Sequence, residues 1–136
     1  MIRCLNTLFC KELRVEDDGL MTIASIYSGF SRRDLPANIQ LCFVSFLELS
    51  FDNIDEIIKQ EFNARVIINA PWGLTIGDSK QKIPFRQISD SLARSTLAIQ
   101  FGEVVFTEFG QYAFDVFVND EHLCTATLDI VQEDIL

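Results

Sequence analysis

Four cysteines and one histidine are the side chains in this sequence best suited to nucleophilic or metal chemistry. No two cysteines form a Cys-x-x-Cys pair, so the tight spacing that a structural zinc site needs is absent. We predict four reduced thiols, at least two of them packed inside strands as small apolar groups. The spacing leaves a Cys4–Cys10 or a Cys42–Cys124 disulfide open. The cysteines are Cys4, Cys10, Cys42 and Cys124.

His122 is the only histidine, and therefore the only imidazole base available to a cysteine or serine nucleophile. Cys124 lies two residues away, but we expect the segment Asn119–His122 to be an exposed turn. A Cys–His pair there would lack the third group that orients a catalytic histidine. Glycine-rich phosphate loops are also absent. The sequence therefore predicts no enzyme activity, no cofactor and no metal site.

Charge is distributed unevenly along the chain, whose net charge is −9. Residues 1–94 contain all 11 basic residues and 12 acidic ones, whereas residues 95–136 contain eight acidic residues and no Lys or Arg. An acidic final third repels nucleic-acid phosphates and anionic membranes, so we predict neither as a partner. It favours a basic protein partner or a second copy of the chain, including a homodimer. The same charges would also serve solubility and block edge-to-edge aggregation.

The predicted interaction surface combines this acidic region with one aromatic side chain. Trp72 follows Pro71 in a predicted turn, and exposed aromatic residues often anchor interfaces. Alternatively, Trp72 folds back as a lid on the core. A small ligand would then bind in a cleft between the sheets or near Trp72. The acidic members of the predicted surface are Glu103, Glu108, Asp115, Asp120, Glu121 and Asp129.

The elements that must position these residues follow from period-two alternation of apolar and polar residues. Asp18-Gly19 predicts the turn of a hairpin, because Gly accepts the positive φ that such turns require. Leu41–Phe51 carries apolar residues on both faces at its start, as expected of a central strand. About seven to nine short strands predict an immunoglobulin-like, two-sheet β-sandwich, with a barrel as the alternative.

Two local signals complete the prediction. Asn53 and Glu56 have capping-box spacing ahead of isoleucines at helical spacing, which predicts a short inserted helix over residues 54–62. Tyr112 follows Gly110 at the start of a predicted strand, where a tyrosine hydroxyl often ties the corner of an immunoglobulin-like sandwich.

Length and composition predict one domain, residues 1–136, with a large apolar core. A hydrophobic content of 49% argues against disorder, and roughly 100–150 residues is the usual domain size. No apolar run is long enough to span a bilayer. The N-terminal segment lacks a small-residue cleavage site, so we expect a cytoplasmic protein.

Three segments carry a resemblance to a known family. They are Leu13–Ile23 with its acidic-Gly hairpin, Leu35-Pro36-Ala37, and Phe109-Gly110-Gln111-Tyr112-Ala113-Phe114. In this order they resemble an uncharacterised family of small bacterial β-sandwich proteins. The resemblance implies the fold and brings no catalytic residues.

We therefore expect a non-catalytic protein-interaction or assembly module. It would dock through its acidic C-terminal hairpin or through an exposed edge strand. The alternative function is a sandwich that binds a small ligand.

Overall fold

The computed structural model describes residues 1–17 and 20–133. These residues form ten β-strands and one short helix, joined by turns and loops. In chain order they are β1 (Ile2–Val15), β2 (Met21–Tyr27), β3 (Phe30–Arg32), β4 (Ala37–Ser50), α1 (Asp55–Ile58), β5 (Asn63–Asn69), β6 (Thr75–Lys82), β7 (Arg86–Gln87), β8 (Leu92–Phe106), β9 (Gly110–Val118) and β10 (Glu121–Gln132).

The strands form two five-stranded sheets that face each other. The first sheet has the order β2-β1-β4-β8-β7 and the second has the order β3-β10-β9-β5-β6. Among the described strands, only β3 and β10 pair in parallel. The predicted two-sheet sandwich is confirmed, with ten strands instead of seven to nine. The additional strands include β3 and β7, which have three and two residues and are too short to show alternation.

One apolar core joins the two sheets because each strand turns alternate side chains inward. Phe43 of β4 stacks on Phe114 of β9 at a centroid distance of 5.8 Å, and Phe9 of β1 meets Phe114 edge-on at 4.8 Å. Strand β4 lies between β1 and β8, so the prediction of a central strand is confirmed, although the strand covers Ala37–Ser50 in place of Leu41–Phe51.

The hairpin predicted near the start of the chain is present as β1 and β2. Strand β1 is long and begins at Ile2. The turn predicted at Asp18-Gly19 lies outside the described residues. Pairing of β1 with β4 stops at Cys10 and Cys42, after which β1 crosses the outer face of the first sheet. There Gln100 Nε2 donates a hydrogen bond to Leu13 O over 3.1 Å. The hairpin thereby covers a second, smaller apolar cluster built around Cys10, Leu13, Cys42 and Val44.

The helix is shorter than predicted. It covers Asp55–Ile58 in place of residues 54–62, and none of its residues is buried. Starting a helix is costly, and a short segment continues as a helix only where one of its faces packs against the rest of the protein. Beyond Ile58, which is 69% exposed, the chain turns away and brings Phe62 into the core.

Two turns position the C-terminal hairpin, which is formed by β9 and β10. The Tyr112 hydroxyl donates to Glu108 O over 2.8 Å, so the predicted tyrosine corner is confirmed. At the other end of β9, Asn119 and Asp120 both have positive φ, 48° and 66°, as a two-residue hairpin turn requires. Within residues 1–17 and 20–133, no helix has the length and apolar character to cross a bilayer.

Candidate functional site

The histidine belongs to a polar network on the outer face of the second sheet. His122 Nε2 lies 3.3 Å from Asp115 Oδ1 and 3.0 Å from Thr125 Oγ1. Asn69 Nδ2 donates to Asp115 Oδ2 over 2.8 Å, and Thr75 Oγ1 donates to Asn69 Oδ1 over 2.9 Å. The network therefore links four neighbouring strands, β10, β9, β5 and β6.

This network has the residue types of a hydroxyl–histidine–carboxylate triad but not its geometry. In a triad the carboxylate holds one ring nitrogen and the nucleophile meets the other. Here Asp115 and Thr125 both approach Nε2 of His122, so the ring relays no proton between them. A register shift between His122 and Cys124 also separates these two residues, and Cys124 packs against the core between the sheets.

The four cysteines lie as two neighbouring pairs, and neither pair is one of the disulfides considered from the sequence. Cys10 and Cys42 are direct partners across β1 and β4, and both are buried. Cys4 and Cys124 are half-buried and line one small cleft, although they belong to different sheets. All four thiols are free. The described residues contain no group of three or more His, Cys, Asp or Glu side chains that could hold a metal ion.

The acidic residues of the predicted surface do not form one patch. Asp115 and Asp129 lie on the outer face of the second sheet, where Gln111 donates to Asp129. Asp120 and Glu121 lie at the β9–β10 turn. Glu108 lies in the β8–β9 turn at the opposite end, and Glu103 is on β8 of the first sheet.

Basic residues from earlier in the chain lie beside the acidic hairpin. Asp120 borders an open cleft of about 540 Å³ together with Arg65, Lys80 and Lys82. Arg65 also binds Asp78 through two nitrogens, which raises the pKa of Arg65 and lowers that of Asp78. The charge boundary after Arg94 in the sequence is therefore not a boundary in space, because β5 lies directly beside β9.

Trp72 lies in the predicted turn, between β5 and β6. Its side chain is 44% exposed, and its ring meets Tyr112 edge-on at 6.3 Å. Part of the indole therefore packs against the buried Tyr112, while the remainder faces solvent. No cleft that includes Trp72 stands out among the described residues.

The long strand β8 has an open side, a feature that the sequence did not reveal. It pairs with β4 along its whole length, but β7 pairs only with Ala93 and Arg94. The following segment, Ser95–Gln100, contains no charge and no register shift. We call it the β8 edge. No strand of the described residues pairs with its outer side.

The direction of the backbone groups along the β8 edge follows from two hydrogen bonds at its start. Ser91 O accepts from Phe51 N–H, at the end of β4, whereas Leu92 O accepts from Ile88 N–H, beside β7. Because successive residues of a strand point their backbone groups to opposite sides, Thr96, Ala98 and Gln100 direct theirs away from β4.

The other open stretches are interrupted or charged, as protected edges usually are. Strand β1 has a register shift beside Leu5, and β10 has one beside Leu123. Strand β2 is interrupted at Ser25, whose φ is 59°. Strand β6 carries Lys80 and Lys82. The β8 edge is the longest regular, uncharged stretch among them.

A groove of about 410 Å³ continues from the β8 edge towards β6. Its apolar lining includes Ile76, Phe101 and Val104, and its acidic lining includes Asp78 and Glu103. Ser95 Oγ, at the start of the β8 edge, is buried without a hydrogen-bond partner in the described part of the chain. The strand pattern of Thr96–Phe101 and Val104–Thr107 is the only sequence signal for this region.

Comparisons with known proteins concern the fold and the family. No curated protein matches the chain. The fold is similar to that of a solved structure of Pseudomonas fluorescens alkylpurine DNA glycosylase AlkC bound to DNA containing an abasic site analog, with a TM-score of 0.51 and 11% identity. The match covers 96% of this chain and 30% of the glycosylase chain. At this identity the similarity concerns the fold alone.

The predicted resemblance to an uncharacterised family is confirmed. A family of unknown function, DUF6941, matches residues 6–131. This match covers nearly the whole chain, and the chain therefore belongs to that family of unknown function.

Proposed function

We propose that this protein is a non-catalytic interaction module that binds an extended segment of a partner protein along the β8 edge. Added strands of this kind gain affinity from backbone hydrogen bonds and specificity from side-chain pockets. The observation that carries the proposal is the β8 edge itself, six uncharged residues whose outward backbone groups have no partner strand in the described structure.

The partner segment is basic and partly apolar. Apolar side chains would enter the groove beside Ile76, Phe101 and Val104, and a Lys or Arg would meet Glu103. The net charge of −9 attracts a basic segment and opposes association with a second copy of the chain. The acidic hairpin is a weaker candidate, since Asp120 already faces Arg65, Lys80 and Lys82.

The test starts from a displayed library of linear peptides, unbiased in charge and long enough to span the β8 edge. We expect the selected peptides to alternate apolar residues with Lys or Arg. Titration calorimetry with a selected synthetic peptide should give one site per chain. Amide hydrogen exchange at Thr96 and Ala98 should be fast in the free protein and slow in the complex.

Substitutions at one position separate edge pairing from side-chain contacts. Thr96→Pro removes an outward N–H and should weaken the peptide at least about tenfold, because a strand hydrogen bond is lost and the ring blocks approach. Thr96→Val keeps the N–H and should bind normally. If Thr96→Pro binds as the wild type does, while Asp120→Lys with Glu121→Lys loses the peptide, docking occurs at the hairpin and the proposal fails.

A second candidate function is the binding of a small apolar ligand. An open cleft of about 440 Å³ lies beside α1 and is lined by Ile57, Phe62, Ile83, Pro84 and Phe85, with Lys82 and Glu61 at its border. A rise in melting temperature with a screened compound would support this function. Ile57→Arg should abolish that rise, and a rise that survives this substitution would place the ligand elsewhere.

We also infer an immunoglobulin-like topology, a cytoplasmic location and a function without catalysis. The strand order supports the first inference. Strands β1-β4-β8-β7 of one sheet and β10-β9-β5-β6 of the other correspond to strands A-B-E-D and G-F-C-C′ of an immunoglobulin domain. In support of the second, four free thiols are typical of reducing compartments. In support of the third, the one histidine holds both its partners on a single nitrogen.

A further inference from the structure

Cys4 and Cys124 meet at an open side of the sandwich, away from the β8 edge. Cys4 is on β1 of the first sheet and Cys124 is on β10 of the second. Each lies beside a register shift of its strand, between Cys4 and Asn6 and between His122 and Cys124. Such bulges re-aim side chains. Both thiols line a solvent-facing cleft of about 230 Å³, together with Leu5, Asn6, Thr7 and Thr125.

We propose that Cys4 and Cys124 form a dithiol that hydrogen peroxide oxidises to a disulfide joining the two sheets. The two thiols line the same small cleft, which brings them together from different sheets and gives a small oxidant access to both. The site is thus a modification site independent of the proposed binding function.

The surroundings assign different roles to the two thiols. Ser45 Oγ lies 3.0 Å from Cys4 Sγ. Hydrogen bonds from Cys124 and Ser45 lower the pKa of Cys4 to about 6 despite partial burial. The same contact with Cys4, together with burial, raises the pKa of Cys124. Because the thiolate is the nucleophile, Cys4 attacks first and Cys124 resolves the intermediate.

The reaction balances with one peroxide for two thiols. The Cys4 thiolate attacks one peroxide oxygen, so an S–O bond forms, the O–O bond breaks, and the departing hydroxide takes up a proton as water. Cys124 loses its proton and attacks the sulfenic sulfur. An S–S bond forms, the S–O bond breaks, and the released hydroxide leaves as a second water. Two electrons pass from the thiols to the peroxide.

The other cysteine pair provides an internal control. Cys10 and Cys42 are also neighbours, but both are buried in the smaller apolar cluster, where the β1–β2 hairpin packs against β4. Burial raises the pKa of both thiols, that of Cys10 to about 11. A buried, protonated thiol reacts slowly with peroxide, so this pair should remain reduced under conditions that oxidise Cys4 and Cys124.

The experiment treats the full chain with hydrogen peroxide, blocks remaining thiols with iodoacetamide after unfolding, and maps peptides without reduction. We expect a Cys4–Cys124 crosslink with the loss of two hydrogen atoms, reversal by dithiothreitol, and alkylated Cys10 and Cys42. The oxidised chain should melt at a higher temperature, because the bond closes a loop over most of the sequence.

Single substitutions test the order of steps. Cys124→Ser should accumulate a sulfenic acid on Cys4 that dimedone traps, and Cys10→Ser should still form the crosslink. A first crosslink between Cys10 and Cys42 would overturn the proposal, as would native protein that ends with sulfinic acid on Cys4 and no crosslink. Equal dimedone labelling of Cys124 in a Cys4→Ser chain would overturn the assigned roles.

Discussion

At the residue scale, two buried serines on neighbouring strands differ in whether their hydroxyl groups have a hydrogen-bond partner. Ser45 of β4 has its Oγ 3.0 Å from Cys4 Sγ. Ser95 of β8 has a buried Oγ without a partner among the described residues. A buried hydroxyl that has lost water and gained no partner destabilises the folded state.

Ser95→Ala should therefore raise the free energy of unfolding, by about 1 kcal/mol, because it removes an unsatisfied hydroxyl. Ser45→Ala is the matched control and should lower it by a similar amount, since it removes a partner of Cys4. Urea denaturation of both variants checks the pair. Destabilisation by Ser95→Ala would show that its hydroxyl has a partner in solution.

At the element scale, ties between strands fix the ends and the outer faces of the sheets. Tyr112 binds the backbone of Glu108 at the corner before β9. On the outer face of the first sheet, Glu48 of β4 accepts hydrogen bonds from Arg3 of β1 and Arg94 of β8. The two guanidinium groups leave the Glu48 side chain only 6% exposed.

Tyr112→Phe should lower the free energy of unfolding by about 1 kcal/mol, because it removes the hydrogen bonds between the hydroxyl of the buried Tyr112 and the Glu108 backbone. The ring itself is retained, so packing against Phe106 is unchanged. The loss of stability should appear in both thermal and urea unfolding. A variant as stable as the wild type would mean that solvent replaces the hydroxyl.

Glu48 should contribute a pH-dependent part of the stability. Hydrogen bonds and charge from Arg3, then from Arg94, hold the pKa of Glu48 below its ordinary value of 4.5. A lowered carboxyl pKa stabilises the fold above the unfolded-state pKa, and this stabilisation is lost as pH falls through the folded-state pKa. The melting-temperature difference between wild type and Glu48→Gln should thus shrink as pH falls below about 4.5. A constant difference would contradict this assignment.

At the scale of the whole molecule, net charge and edge exposure act together. The chain carries −9, yet its β8 edge is uncharged and open. Net repulsion between copies opposes self-association through this edge, while a basic segment is attracted to it.

Association with a basic peptide should therefore slow as salt is added. We expect the association rate to fall about tenfold from low to high ionic strength, because a shorter Debye length screens the field of the protein. The dissociation rate should change less, since backbone hydrogen bonds hold the complex. Stopped-flow measurements on wild type and Glu103→Lys check both rates. An association rate independent of salt would contradict electrostatic steering.

The sequence by itself determined the sandwich, the central strand at Leu41–Phe51, the early hairpin and the corner at Tyr112. These features depend on alternation and turn chemistry, which act over a few neighbouring residues. The helix was predicted too long because an apolar stripe at 54–62 does not show where the chain must turn into the core.

Only the tertiary structure decided the rest. It brought Cys4 beside Cys124 and Cys10 beside Cys42. It dispersed the acidic residues over two sheets and both ends, and it left the outer side of the β8 edge without a partner strand among the described residues. The physical reason is that the order of strands in a sheet sets which distant residues meet. That order follows from how all the apolar faces are buried together, which no local pattern records.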